Sequence, residues 1–203
     1  MKELLNELPK ELVENLNKTE YVEDGGLLIR SIRYIGDKLE VEFILSFGDY
    51  ENPKQNWRLN IIGIKKEKIV INWASYPEIY SEHFLLYDFL DNYTELYFNS
   101  KASDSEKLFI DLFTKHNALF GRWIDFESYI HIPKDYSKLC STQNGLFARG
   151  PKTILEEYEK CLISNGIKTR YIGEIESEYK TLKLLILGDR YFIGENFEFK
   201  RMN

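Results

Sequence analysis

The chain of 203 residues needs no metal or disulfide to fold, because a chain of this size removes roughly 70% of its unfolded surface from water. Its formal net charge of -6 repels nucleic-acid phosphates and anionic membrane surfaces, so we expect neither as a partner and favour a basic protein. Two cysteines are too few for a disulfide scaffold, and the charged N-terminal segment and the lack of a long apolar run predict a cytoplasmic protein.

The N-terminal half is predicted to form a helix followed by an antiparallel meander. Residues 2–17 carry apolar side chains at helical spacing, and Pro9 favours a start of the regular helix near itself. Residues 39–47 alternate between apolar and polar side chains, which predicts a half-buried strand. Gly36 and Asp37 predict the hairpin turn that joins it to residues 27–35. Two further strands are predicted at 57–64 and 69–73 around a charged turn at 65–68, with loops at 23–26 and 49–55.

The C-terminal half is predicted to contain two helices. Ser103 and Glu106 have capping-box spacing, and the helix that they predict ends before Gly121. Pro151 is expected to be the first residue of the other helix. Residues 122–132 look extended and residues 133–145 look like a loop. Strands are expected at 146–148, 167–175, 181–187 and 191–199.

These elements predict an α+β fold, with an antiparallel β-sheet in meander order and about three packed helices. We expect a single domain over residues 1–203. If the chain has two lobes, they are residues 1–100 and 101–203, with the boundary near residues 100–104.

Residues 76–98 are rich in aromatic and acidic side chains and contain no Lys or Arg. Tyrosine provides a large, rigid contact area with a polar tip, and carboxylates suit a basic partner. The segment is therefore a candidate binding surface, although the same rings would also suit a hydrophobic core with the acids facing water. The predicted partner contacts are Tyr80, Tyr87, Asp88, Asp91, Tyr93 and Glu95.

Catalytic and metal-binding motifs are weak. His83, His116 and His131 are far apart in the sequence, and no histidine or cysteine has zinc-site spacing, so we expect no metal and no cofactor. Cys140 lies in a predicted loop, where His116 or His131 could activate it as a nucleophile if the fold brings them close. A small hydrolase that uses Cys140 is one alternative function, and a small-ligand-binding or regulatory module is another.

Several short segments in this order resemble uncharacterised bacterial proteins of about this size, of the kind associated with polymorphic-toxin loci. The segments are residues 47–53, 57–61, 96–99, 121–124, 150–152 with Tyr158, and 185–191. The resemblance implies a non-enzymatic immunity protein, which binds a cognate bacterial toxin and blocks it. It carries no catalytic motif and assigns no site residue.

Overall fold

The computed structural model describes residues 2–3, 7–18, 25–47 and 54–202 of the chain. The predicted α+β fold with antiparallel strand pairing is confirmed, and the strands of the described residues form three antiparallel sheets instead of the one meander sheet expected. The chain divides into two compact units: unit 1 is Met1–Leu86 with Thr181–Asn203, and unit 2 is Tyr87–Lys180. The single domain expected from the sequence stays a prediction.

Unit 1 contains helix α1 (Lys10–Asn17) and two antiparallel sheets. Its strands are β1 (Lys2–Glu3), β2 (Gly25–Ile35), β3 (Lys38–Phe47), β4 (Gln55–Ile62), β5 (Lys66–Lys68), β6 (Trp73–Ala74), β7 (Pro77–Glu82), β11 (Lys183–Leu187), β12 (Arg190–Gly194) and β13 (Asn196–Met202). One sheet has the order β13-β4-β3-β2-β6, and the other has the order β1-β7-β11-β12-β5.

The core of unit 1 follows from the alternation in β3. Leu39, Val41, Phe43 and Leu45 are buried, and they share one hydrophobic cluster with side chains of both sheets and with Leu12 and Leu16 of α1. The hairpin of β2 and β3 and its turn at Gly36 are confirmed. The start of the regular helix near Pro9 is also confirmed, because Pro9 is the N-cap of α1.

Five predictions for unit 1 are corrected. Lys2–Glu3 pair with β7 and are not helical. Gly25 and Gly26, expected in a loop, begin β2. The expected turn at 65–68 contains β5, which pairs with β12, whereas residues 69–72 form no strand. The expected strand at 191–199 is divided at Glu195 between β12 and β13, which belong to different sheets. The expected loop residues 23–24 and 49–53 lie outside the described residues.

Unit 2 contains a three-stranded antiparallel sheet and three helices. The elements in chain order are α2 (Tyr87–Leu90), β8 (Tyr93–Phe98), α3 (Ser105–Phe120), β9 (Gly145–Pro151), α4 (Lys152–Ser164) and β10 (Thr169–Ile175), and the sheet order is β10-β8-β9. Helix α4 contacts all three strands, and its apolar side is buried through Ile154, Leu155, Tyr158 and Leu162.

Three predictions for unit 2 are corrected. The N-cap of α3 is Asp104, whose carboxylate accepts the Lys107 N–H at 2.9 Å, so the capping box at Ser103 does not form. Residues 122–132 are mostly turns with a 3-10 turn at Phe126–Ser128, and one isolated bridge joins Ile130 to Ala148. Pro151 is the N-cap of α4 and the last residue of β9, so the first helical residue is Lys152. The helix end at Gly121 is confirmed.

Candidate functional site

The side chains of β8 alternate between a buried face of the unit 2 sheet and a more exposed one. Thr94, Leu96 and Phe98 are buried, whereas Tyr93, Glu95 and Tyr97 are only half-buried. Successive strand residues point to opposite faces of a sheet. Helix α4 covers the face on which the buried residues lie, so the opposite face is the one available for contact.

Residues paired across antiparallel strands share a face, and the pairing of β8 therefore extends this surface onto both neighbouring strands. Glu95 is opposite Arg149 on one side and Ile172 on the other, while Tyr97 is opposite Arg170 and Tyr93 is opposite Ile175. We call this surface the open sheet face. It consists of Tyr93, Glu95, Tyr97, Arg149, Arg170, Ile172 and Ile175.

A β-bulge at Gly173 places two exposed isoleucines on the same face. The register of β10 against β8 shifts between Ile172 and Glu174, and Gly173 has a φ of 69°. The bulge adds one residue to the strand, so Ile172 and Ile175 lie on the same face although they are three residues apart. They are 41% and 65% exposed, so this face carries two exposed apolar side chains.

The charged side chains of the open sheet face are held by their neighbours. The Arg149 Nε lies 3.4 Å from a Glu95 carboxylate oxygen, and the Tyr97 hydroxyl donates to the other oxygen at 3.0 Å. This hydrogen bond to Glu95 raises the pKa of Tyr97, and the phenol stays a donor. The guanidinium of Arg149 lies 6.0 Å from the Tyr93 ring centroid, and that of Arg170 lies 5.8 Å from the Tyr97 ring centroid.

A recess of about 250 Å³ lies on the open sheet face. It is lined by Tyr93, Thr94, Glu95, Arg149, Ile172, Gly173 and Ile175. A Cβ built on Gly173 would meet no atom within 4 Å, so the bulge contributes open space to the recess. Its walls combine isoleucine and tyrosine surface with one ion pair, a combination suited to a side chain with an apolar stem and a polar tip.

The structure brings only some of the predicted contact residues together. Tyr93 and Glu95 lie on the open sheet face, whereas Tyr87 begins α2 and is half-buried. Tyr80 belongs to unit 1, where its hydroxyl donates to Glu78 at 2.8 Å. The other members of the open sheet face were not among the predicted contacts: Tyr97, Arg149, Arg170, Ile172 and Ile175.

Asp91 caps helix α4 from a distant point in the sequence. The N-cap, Pro151, offers no side-chain acceptor. One Asp91 carboxylate oxygen accepts the Thr153 N–H at 2.7 Å, and the other accepts the Asn92 N–H at 2.8 Å. The Asn92 carbonyl accepts the Lys152 N–H at 2.9 Å. Asp91 thus satisfies one of the free N–H groups at the start of α4, where a negative charge is also favourable.

We expect Asp91→Ala to lower the free energy of unfolding of unit 2 by about 0.5–2 kcal/mol, the range for removing a cap acceptor. Urea unfolding followed by circular dichroism measures it. Asp91→Asn, which keeps an acceptor oxygen, is the control and should lose less. Equal stability of Asp91→Ala and the wild type would contradict the capping role.

The Asp88 carboxylate also takes part in a hydrogen bond within unit 2. Its carboxylate accepts the Tyr129 hydroxyl at 2.6 Å, although Asp88 itself is exposed. Burial, and then this bond to Asp88, raises the pKa of Tyr129. The backbone carbonyl of Tyr129 in turn accepts the backbone N–H of Arg149 at 2.9 Å. Tyr129 therefore lies beside β9, on the side away from β8. Asp88 therefore helps to position the strand that carries Arg149.

Cys140 lines a second cavity in unit 2, which we call the Cys140 cavity. Its volume is about 320 Å³. The lining residues are Phe98, His131, Pro133, Lys138, Leu139, Cys140, Thr142, Gly145, Leu146 and Phe147. Cys140 is buried, and apart from glycines it is the one residue of the described chain with positive φ, at 51°.

The protonation of Cys140 bears on the alternative of a thiol hydrolase. Burial raises the pKa of the Cys140 thiol to about 12, so the nucleophilic thiolate is scarce at neutral pH. His131 lines the same cavity, but His116 does not: its Nε2 donates to the Ile124 carbonyl at 2.7 Å, and its Nδ1 accepts the Tyr158 hydroxyl at 2.8 Å. The cavity supports binding better than nucleophilic catalysis, and the hydrolase stays an untested alternative.

No metal centre and no membrane helix can be assigned to the described part of the chain. Residues 2–3, 7–18, 25–47 and 54–202 contain no group of three His, Cys, Asp or Glu placed to hold a metal ion. Over the same ranges, no helix has both the length and the apolar character required to cross a bilayer.

Comparison of the chain with protein-family models, with curated proteins and with solved structures gave no match.

Proposed function

We propose that this chain is a non-enzymatic, protein-binding inhibitor of the immunity type, which neutralises a toxin by covering part of it with the open sheet face. The observation that carries the proposal is one exposed sheet surface that presents Tyr93, Tyr97, Arg149, Arg170 and two isoleucines. Tyrosine and arginine are among the residues most often found at the energetic centres of protein interfaces.

The open sheet face is organised before any partner arrives. Arg149 and Tyr97 are both bound to Glu95, and each arginine lies near a tyrosine ring. Side chains that are already ordered lose less conformational entropy on binding, so more of the contact energy contributes to affinity. The exposed apolar area of Ile172 and Ile175 would be removed from water by the same contact.

Net charge and local charge have different roles in this proposal. The chain carries a net charge of -6, which attracts a basic protein over a distance and speeds its association. The open sheet face itself has two arginines and one glutamate, so short-range recognition depends on paired charges and on apolar contact. The recess of about 250 Å³ would receive one partner side chain, with its polar tip beside Glu95 and Arg149.

Affinity purification from the source cells tests the proposal, with tagged wild type, Ile175→Asp and Ile163→Asp at low and moderate salt. Ile175 and Ile163 are 65% and 59% exposed in the same unit, but Ile163 lies on α4 and outside the open sheet face. We expect one stoichiometric basic protein with the wild type and with Ile163→Asp. It should be lost with Ile175→Asp, and its recovery should fall as salt rises.

Two results would contradict the proposal. One is recovery of the same proteins with all three baits, which would show that the open sheet face plays no part. The other is a partner that is lost with Ile163→Asp and retained with Ile175→Asp, which would place the interface on the helical side of unit 2.

A further inference from the structure

We propose that the Cys140 cavity is a binding site for a small organic anion, such as a carboxylate or a phosphate monoester with a compact apolar body. Its lining residues differ from those of the recess on the open sheet face, and a ligand here does not require the inhibitor function. Its volume of about 320 Å³ is at the lower end of the range for small-molecule sites in proteins.

The apolar part of the cavity fits a flat or compact ligand body. Its walls include the rings of Phe98 and Phe147 with Pro133, Leu139 and Leu146. Phe147 and Leu139 are buried, so these walls belong to the core of unit 2 and are formed before a ligand binds. A pre-formed apolar pocket with a few polar groups is the usual architecture of a small-molecule site.

Gly145 allows the Phe98 ring to form one of these walls. A Cβ at Gly145 would lie 2.8 Å from the end of the Phe98 ring, closer than side-chain carbons approach in folded proteins. A side chain here would push the ring away from its place, so the shape of the cavity depends on this glycine.

The polar groups that line the cavity favour a ligand with a negative charge. Lys138, His131 and Thr142 line it, and among the described residues no Asp or Glu does. The lysine ammonium and the hydroxyl can donate to an anion, as can a histidine ring N–H. Lys138 is within 3.5 Å of one Asp135 carboxylate oxygen, an exposed ion pair that contributes little and can be exchanged for a ligand. Cys140 supplies a small, uncharged thiol to the same lining.

Heteronuclear NMR titration of the full chain with four probes of one shape tests the inference: benzoate, phenyl phosphate, benzyl alcohol and benzylamine. We expect saturable shifts at Phe98, Cys140 and Leu146 with the two anions, with a Kd of about 1 mM for ligands of this size. The neutral probe should bind several-fold more weakly and the cation more weakly still. Lys138→Met should weaken benzoate binding about tenfold, since it removes a charge-assisted hydrogen bond.

Lys134→Met is the matched control, because Lys134 is an exposed lysine of the same loop that does not line the cavity. It should bind benzoate within twofold of the wild type. Three results would overturn the inference: no saturable shift with either anion, equal binding of benzylamine and benzoate, or equal weakening by the two lysine substitutions.

Discussion

Tyr158→Ala is expected to lower the free energy of unfolding of unit 2 by about 3–5 kcal/mol, the range for removing a large aromatic side chain from a core. Tyr158 is completely buried on α4, where its ring contacts His116 and Phe120. Truncation removes these contacts and leaves a cavity between α3 and α4. It also removes the hydroxyl that donates to His116 Nδ1 at 2.8 Å, so a buried acceptor is left without its partner.

Tyr158→Phe separates the two contributions. It keeps the ring and removes only the hydroxyl, so we expect a loss of about 1–3 kcal/mol. Urea unfolding and amide hydrogen exchange of α3 and α4 measure both variants, and the exchange data report on unit 2 directly. If Tyr158→Ala were no less stable than Tyr158→Phe, the packing of α3 on α4 around His116 would not be as described.

Unit 1 is expected to lose about 2 kcal/mol of stability between pH 7.5 and pH 5 through His83 alone, because the two states bind protons differently over this range. His83 is 5% exposed, and its Nδ1 accepts the Leu85 N–H at 3.2 Å. Burial lowers the pKa of His83 to about 4 in the folded chain, whereas the unfolded chain has its ordinary value of about 6.5. The unfolded state therefore takes up a proton first as pH falls.

The direction of this change in stability and the pH range over which it occurs follow from the two pKa values. The stabilisation from neutral His83 is present above pH 6.5 and is lost as pH falls toward 4. Burial also lowers the pKa of His116, so unit 2 should respond in the same direction. Carboxylates with lowered pKa values, such as Glu42, lose their contribution only below about pH 4.5 and so do not act in this window.

His83→Asn is the test variant, since its amide oxygen can accept the Leu85 N–H without titrating. Urea unfolding at pH 7.5, 6 and 5 should show a flatter dependence for the variant than for the wild type. Parallel curves would contradict the assignment of this pH dependence to His83.

Local patterns predicted several elements of the fold correctly. The alternation of residues 39–47 and the turn at Gly36 define the hairpin of β2 and β3, because the buried face and the turn geometry are both local properties. The end of α3 at Gly121 follows in the same way.

Elements that depend on distant pairing could not be predicted from local patterns. Residues 66–68 are Lys, Glu and Lys and read as a turn, yet they form β5 by pairing with β12, more than 120 positions later. Gly194, the last residue of β12, lies where a Cβ would be 2.8 Å from the Ile61 side chain. The sequence shows the glycine but not the close approach that requires it.

Some residues of the candidate site could be predicted from local composition, whereas the others depend on distant pairing. Tyr93 and Glu95 were predicted from the composition of residues 76–98, but Arg149 and Arg170 come from strands that only the sheet order places beside them. Asp88 and Asp91 look like exposed interface acids in the sequence. Their hydrogen bonds to Tyr129 and to the Thr153 N–H depend on contacts over 41 and 62 positions.

The measurement that tests the central claim most directly is a calorimetric titration of the purified partner against wild type, Ile175→Asp and Ile163→Asp. The open sheet face predicts that Ile175→Asp raises the Kd about 30-fold or more, the effect of losing an interface anchor, while Ile163→Asp stays within about twofold of the wild type. Both variants should show the circular dichroism spectrum of the wild type, since both isoleucines are exposed. Equal Kd values for Ile175→Asp and the wild type, with both proteins folded, would contradict the assignment of this face as the binding surface.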